Sequence, residues 1–345
     1  MGMGAVGIKD VAREAGVSVG TVSNVINRPD RVSEEVRARV DAAIRELGYV
    51  RSESARQLRA GRSRMLGLLV MDMGNPFFAA VARGAEDAAR RAGLGVMVCN
   101  SAGDPAAERS YVSLFAEQRV RGALLTTVDP AGAPLHTLRQ QGIPFVLVDR
   151  VADEAEACSV AVDDVTGGFL AGRHLMEAGH HAIAYVSGPT RLRQVQDRRT
   201  GLLRALEESG GSADDLMEIQ VERLDVSAGR DAGARLLGAA QRPSAVFCAN
   251  DLLALGLLQT VYAARVKVPQ ELAVVGYDDI EFAAASLVPL TSVRQPAADM
   301  GRMAAELLLA ETEQAETEQE PGGHQHRRIV LQPELVVRRS SLSHR

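Results

Sequence analysis

The chain's 345 residues allow two or three structural units, because single cores stop growing near about 250–300 residues. Hydrophobic residues make up 46%, aromatics only 3% and Trp none, which describes an aliphatic globular core and excludes a disordered chain. The net charge of −5 is unevenly divided: residues 1–62 hold 11 Lys and Arg against 8 Asp and Glu, leaving 28 against 36 for the rest, so a small cationic module precedes an acidic body.

At the N-terminus, Ile8, Val11, Ala12 and Ala15 fall on one helical face, and Gly16 supplies the positive φ of a tight turn. Ser18 is an N-cap for a second short helix, in which Val22, Val25 and Ile26 point inward while Thr21, Ser23 and Asn24 face out. Two short helices around a glycine turn predict a helix-turn-helix. After the break at Asn27 to Asp30, Ser33 with Glu34 and Glu35 opens a third helix whose stripe is Val36, Val40, Ala43, Ile44 and Leu47, ended by Gly48. Short polar side chains on the second helix suit entry of its backbone into a major groove.

With DVAREAGVS, TVSNVIN, VS and ELGY in place, residues 8–58 resemble the DNA-binding domain and hinge of the LacI (lactose repressor) family, and the likeness continues over nearly the whole chain. By position in that family's motif, Val19, Gly20 and Asn24 stand where base contacts are made, and Ser18, Thr21, Ser23 and Asn27 at phosphate-contacting places. Val19 suits a thymine methyl and Asn24 an adenine. The family commonly has arginine at the place of Asn24, so the operator sequence is expected to differ. Residues 51–61 form a short hinge helix by this resemblance, marginal alone in water. Ala55 allows close pairing across a dimer, and Leu58 wedges into the minor groove. Arg51 and Ser52 replace the usual Pro-Asn.

From Met65 onward, short apolar runs alternate with amphipathic stretches: 66–71, 96–99, 123–125, 145–148, 182–186, 245–248 and 272–275, with helices near 77–91, 105–117, 167–178, 199–208 and 252–264. Such alternation predicts parallel sheets covered by helices. The expected fold is therefore a small all-α helix-turn-helix headpiece (7–50), the hinge (51–61), and an α/β effector domain (65–340) of two doubly wound parallel-sheet lobes. The resemblance makes this last domain periplasmic-binding-protein-like. It implies three crossings between lobes, with lobe 1 at about 65–162 and 294–329 and lobe 2 at about 163–293 and 330–340.

Ligands in such folds sit at the carboxyl ends of strands. Polar residues stand there: Asn75, Asp149, Arg150, Asn250, Asp278 and Gln295, with Arg198 just before a helix containing Gly201. Their carboxylate, amide and guanidinium groups match paired sugar hydroxyls, and Phe77 or Phe78 covers an apolar ring face. All seven polar residues also match, place by place, the pentose-contacting pattern of ribose-type binding proteins. The resemblance thus implies a ribose-like monosaccharide effector and no cofactor. Purine-binding relatives keep an arginine where Leu192 stands.

The adjacent carboxylates Asp163-Asp164 and Asp278-Asp279 need not converge, and no phosphate loop, zinc-ligand spacing or nucleophile elbow occurs, so no enzyme and no metal site is expected. Cys99, Cys158 and Cys248 are expected to be buried free thiols, and His180-His181 and His324-Gln325-His326 surface histidines. Residues 311–323, acidic and rich in Gln, read as a flexible insertion. A transport protein would need a signal peptide, and a glycosidase would show turnover. With no such leader and no run of ~18 apolar residues, a cytoplasmic protein with no membrane partner is expected. The resemblance implies a repressor, a homodimer on a pseudo-palindromic double-stranded operator, with DNA affinity controlled by effector-dependent lobe closure.

Overall fold

The computed structural model describes residues 6–49, 63–127, 133–152, 157–317 and 325–342. The chain divides into two compact units, residues 1–63 and 64–345.

The first unit holds α1 (Ile8–Glu14), α2 (Val19–Asn27) and α3 (Glu34–Leu47), with a single 3-10 turn at Pro29–Arg31. Gly16 takes φ 62°, and the Val17 amide reaches back to the Ala12 carbonyl at 3.0 Å, which closes α1 and sets up the turn. Ser18 Oγ accepts from the Thr21 amide at 3.0 Å and starts α2. Val11, Ala12, Ala15, Val22, Val25, Val40 and Ala43 form the core, flanked by Val36, Ile44 and Leu47. Ile26 is half-buried rather than central. The hinge positions Ala55 and Leu58 lie outside the described residues.

The second unit opens with β1 (Met65–Val70), β2 (Gly95–Asn100), β3 (Gly122–Leu125), β4 (Phe145–Val148) and β5 (Cys158–Val162). Then come β6 (Ile183–Ser187), β7 (Leu216–Gln220), β8 (Ala245–Cys248), β9 (Ala273–Asp278), β10 (Thr291–Arg294), β11 (Arg328–Leu331) and β12 (Glu334–Val336). One sheet has the order β11-β5-β4-β3-β1-β2 and is parallel throughout. The other runs β12-β10-β9-β8-β6-β7 and is parallel except for its edge strand β12. The apolar runs leave out β5, β7, β10, β11 and β12; β7, β11 and β12 lie at sheet edges and keep exposed residues, whereas β5 is buried throughout. The chain leaves the first sheet between β11 and β12, slightly beyond residue 330.

Helices α4 (Pro76–Arg91), α5 (Pro105–Glu117) and α6 (Ala133–Gln140) accompany the first sheet, and α7 (Asp164–Glu177), α8 (Arg193–Glu208), α9 (Val226–Leu237), α10 (Asp251–Ala263) and α11 (Glu281–Ala285) the second. The last helix, α12 (Ala297–Thr317), packs back on α4. Glycines let paired helices cross at backbone contact. A Cβ on Gly168 would stand 1.9 Å from the Arg198 carbonyl oxygen, and one on Gly201 1.9 Å from that of Val165, so α7 and α8 are locked where Arg198 emerges.

Residues 311–323 are not wholly an insertion. Helix α12 continues through Thr317, because buried Leu307, Leu308 and Thr312 extend its inner face and Ala, Glu and Gln are good helix formers. Residues 318–323 lie outside the described set. Cys99, Cys158 and Cys248 are buried free thiols. His180 is half-buried, its Nδ1 3.0 Å from Ser244 Oγ, and His326 is half-buried beside Cys158; neither is the plain surface histidine expected. His181 is exposed, and His324 is not described. No helix among the described residues is long and apolar enough to cross a membrane.

Candidate functional site

The carboxyl ends of the parallel strands in both sheets face one cavity of about 130 Å³. Eight of the nine sequence-predicted residues line it: Asn75, Phe77, Phe78, Asp149, Arg198, Asn250, Asp278 and Gln295. Arg150 does not. Asp149 ends β4 with φ 60°, and this left-handed turn sends successive side chains apart.

Asn75 begins α4. Its Oδ1 accepts from the Phe77 amide at 3.0 Å, while its Nδ2 donates to Asp278 Oδ2 at 2.9 Å on the opposite lobe. Gln295 donates to the other oxygen, Asp278 Oδ1, at 2.7 Å. Asp278 sits at φ 103°, a conformation that non-glycine residues adopt at a cost of about 1–3 kcal/mol, and the two amides hold it there. Its neighbour Asp279 points away to Arg294 and Arg338 at 2.7 and 2.5 Å. The two carboxylates therefore serve different sides of the strand end.

Arg198 lies in the second turn of α8, since that helix begins at Arg193 rather than near 199. Its Nε donates to Asp164 Oδ1 at 2.8 Å, an Nη to the Ala249 carbonyl at 2.6 Å, and its guanidinium stacks 3.7 Å from the centre of the Tyr277 ring. Asp163, beside Asp164, instead caps α7 through the Thr166 amide. Asn250 caps α10 and donates to the Leu224 carbonyl at 3.0 Å. Phe77 and Phe78 meet edge to face, their centroids 5.0 Å apart, and both are buried.

Several participants were invisible to the strand-end reading. Gln194 reaches across to Asp149, and Asp164 and Tyr277 hold Arg198 in place. Leu192 and Val195 add apolar lining. A helix-periodic pattern over 192–202 would have exposed the first turn carrying Gln194.

Burial dominates the electrostatics. It lifts the Asp149 carboxyl to about 8, reinforced by nearby Asp164 and opposed by Arg198 and the Gln194 hydrogen bond. Burial likewise raises Asp164 and Asp278 against the pull of Arg198. Asp149 Oδ1 and Gln295 Oε1 are buried without a protein hydrogen-bond partner. Two buried oxygens without a protein partner at one cavity, the Gln295 acceptor and an Asp149 carboxyl oxygen, are what a hydroxyl-bearing ligand would complete, since a hydroxyl both donates and accepts.

In the first unit, Ser18, Val19, Gly20, Asn24 and Asn27 are exposed, and Thr21 and Ser23 half-exposed. Val19 keeps 42% of its surface. Ser18 Oγ lies 2.9 Å from Thr21 Oγ1, and Asn27 Nδ2 donates to the Ser23 carbonyl at 2.7 Å, so the hydroxyl and amide rotamers are held by the helix itself.

Residues 7–52 match the model of bacterial regulatory proteins, lacI family, and residues 173–341 match that of a periplasmic binding protein-like domain. The chain is 34% identical to the ribose operon repressor of Escherichia coli (strain K12) over 336 residues, 97% of this chain and 99% of that one. It is 36% identical to the HTH-type transcriptional repressor PurR of Vibrio atlanticus (strain LGP32) over 332 residues, 96% of this chain and 97% of that one. Among solved structures, a LacI family transcriptional regulator from Enterococcus faecium with bound ribose superposes with a TM-score of 0.73 at 29% identity, covering 80% of this chain and 98% of that one. With 34% identity over 97% of the chain and both family models matched, the chain belongs to the LacI family of bacterial regulatory proteins and is a regulator rather than an enzyme.

Proposed function

We propose that the chain represses transcription from a pseudo-palindromic operator as a homodimer in the cytoplasm, and that a ribose-like monosaccharide in the inter-lobe cavity controls its DNA affinity. The observation that carries the effector assignment is the pair of buried oxygens without protein partners, Asp149 Oδ1 and Gln295 Oε1, in a cavity that also holds Arg198 and Asp278. A sugar hydroxyl donates to one oxygen and accepts from a guanidinium or amide in the same plane. Phe77 and Phe78 offer apolar cover, and the small volume favours a single ring. Each buried polar group left unpaired costs about 1–3 kcal/mol, so hydroxyl stereochemistry is discriminated sharply.

Ribose stands in the names of two of the relatives, and a purine is the rival effector. Leu192 favours the sugar, because this apolar side chain lines the cavity at only 6% exposure and offers a purine carbonyl no donor. Effector binding acts by changing the balance of lobe arrangements. Shifting that balance from 1:99 to 99:1 takes about 5.5 kcal/mol of differential affinity.

The deciding experiment is calorimetry with pentoses, hexoses and purine bases, followed by an operator-shift assay at fixed salt with and without whatever binds. Heat with a pentose, and a change in operator affinity of either sign, supports the reading. Heat with a purine and none with any sugar overturns it.

A further inference from the structure

A second group of side chains lies at the opposite end of the first sheet from the cavity. Cys158 begins β5, His326 lies two residues before β11, and Glu311 is on the C-terminal half of α12. One ligand atom from each, the Cys158 Sγ, a His326 ring nitrogen and a Glu311 carboxylate oxygen, lies within 4.8 Å of the other two. We propose that Cys158, Glu311 and His326 form a zinc-binding site that clamps the end of α12 and the start of β11 to β5.

The donor set is one sulfur, one imidazole and one carboxylate, the three protein ligand types that zinc takes. Cys158 Sγ and His326 Nδ1 are 3.9 Å apart. A tetrahedral zinc with ordinary Zn–S and Zn–N bonds separates these two atoms by about 3.6 Å, so a shift of a few tenths of an ångström suffices. The Arg327 amide donates to Cys158 Sγ at 3.3 Å, the outer hydrogen bond that a metal-bound thiolate uses. Glu311 and His326 also line a surface hollow with Phe145 and Ala157, which gives an ion and a fourth, solvent ligand a path in. On binding, the thiol proton leaves to solvent and the Cys158 sulfur becomes a thiolate ligand, with no change of oxidation state.

Sequence spacing hides this set, because the three residues come from positions 158, 311 and 326.

The test uses reduced, chelator-treated full-length protein titrated with cobalt(II) as an optical stand-in for zinc. Expected is one cobalt per chain with a thiolate-to-cobalt charge-transfer band, displaced by zinc. The band should vanish in Cys158→Ser, and His326→Gln should weaken affinity by on the order of a hundredfold or more. Zinc should raise the melting temperature of the wild type but not of His326→Gln. If Cys158→Ser fails to fold by circular dichroism, His326→Gln, at a half-exposed position, decides alone. No band, a band that survives Cys158→Ser, or an affinity unchanged in His326→Gln each overturns the proposal.

Discussion

Gln194, on α8 of one lobe, donates its side-chain amide to both the carbonyl and the carboxylate of Asp149, at the end of β4 of the other, at 2.8 and 2.9 Å. With the Asn75–Asp278 bond it ties the lobes across the cavity. Gln194→Ala is expected to leave the fold intact and weaken effector binding about tenfold, the worth of one net hydrogen bond of about 1.4 kcal/mol. Calorimetry on the variant checks this, and an unchanged affinity would separate the contact from effector control.

Arg198, paired with Asp164 at 2.8 Å, is the cation that offsets burial of its carboxylate, with the Tyr277 hydroxyl as a second hydrogen-bond partner. Arg198→Ala should cost about 3–5 kcal/mol of stability, because it leaves an uncompensated carboxylate. Adding Asp164→Asn should recover part of the loss, and effector binding should stay absent in both. Urea denaturation of the two variants and the wild type measures the coupling.

The raised Asp149 carboxyl predicts a pH dependence. The native state keeps a proton that the unfolded chain releases near pH 4, so stability contributed by this group is full below about pH 4 and is lost as pH rises through about 8. Its slope is at most about 1.4 kcal/mol per pH unit. Burial raises Asp164, Asp251 and Asp278 in the same direction, so the wild type should lose stability from pH 5 to 8, and Asp149→Asn should decline less steeply. A variant as steep as the wild type in urea midpoints would show that Asp149 is ionised.

The crossing of α7 and α8 leaves no room for a methyl group at Gly201. Gly201→Ala should destabilise by about 1–3 kcal/mol and weaken effector binding by displacing the turn that carries Arg198. Thermal unfolding and calorimetry together test it: lost stability with normal affinity means that the helices separate without moving Arg198.

On the headpiece, Asn24 and Thr21 are expected to behave differently. Asn24→Ala should change sequence preference, whereas Thr21→Ala should weaken all duplexes alike. Competition shifts on operator and random DNA at one salt concentration distinguish them, and equal losses on both duplexes for both variants would refute the assignment.

The sequence by itself determined the elements whose causes are local. The caps at Ser18 and Asn75, the stops at Gly16 and Gly48, the inner stripe of α3 and the buried strands β1, β4 and β8 follow from neighbours within a few residues. Strand-end position alone picked out Asn75, Asp149, Asn250, Asp278 and Gln295 of the cavity lining, because parallel strands deliver their carboxyl ends to one side. Only the tertiary structure decided what depends on pairing between distant segments. Asn75 and Asp278 are 203 residues apart, and nothing periodic links them. The same holds for Gln194 against Asp149, for the exclusion of Arg150 by the turn at Asp149, and for the approach of Cys158, Glu311 and His326. Local propensity fixes the direction of a side chain along its own element, whereas sheet order and helix crossing decide what it meets.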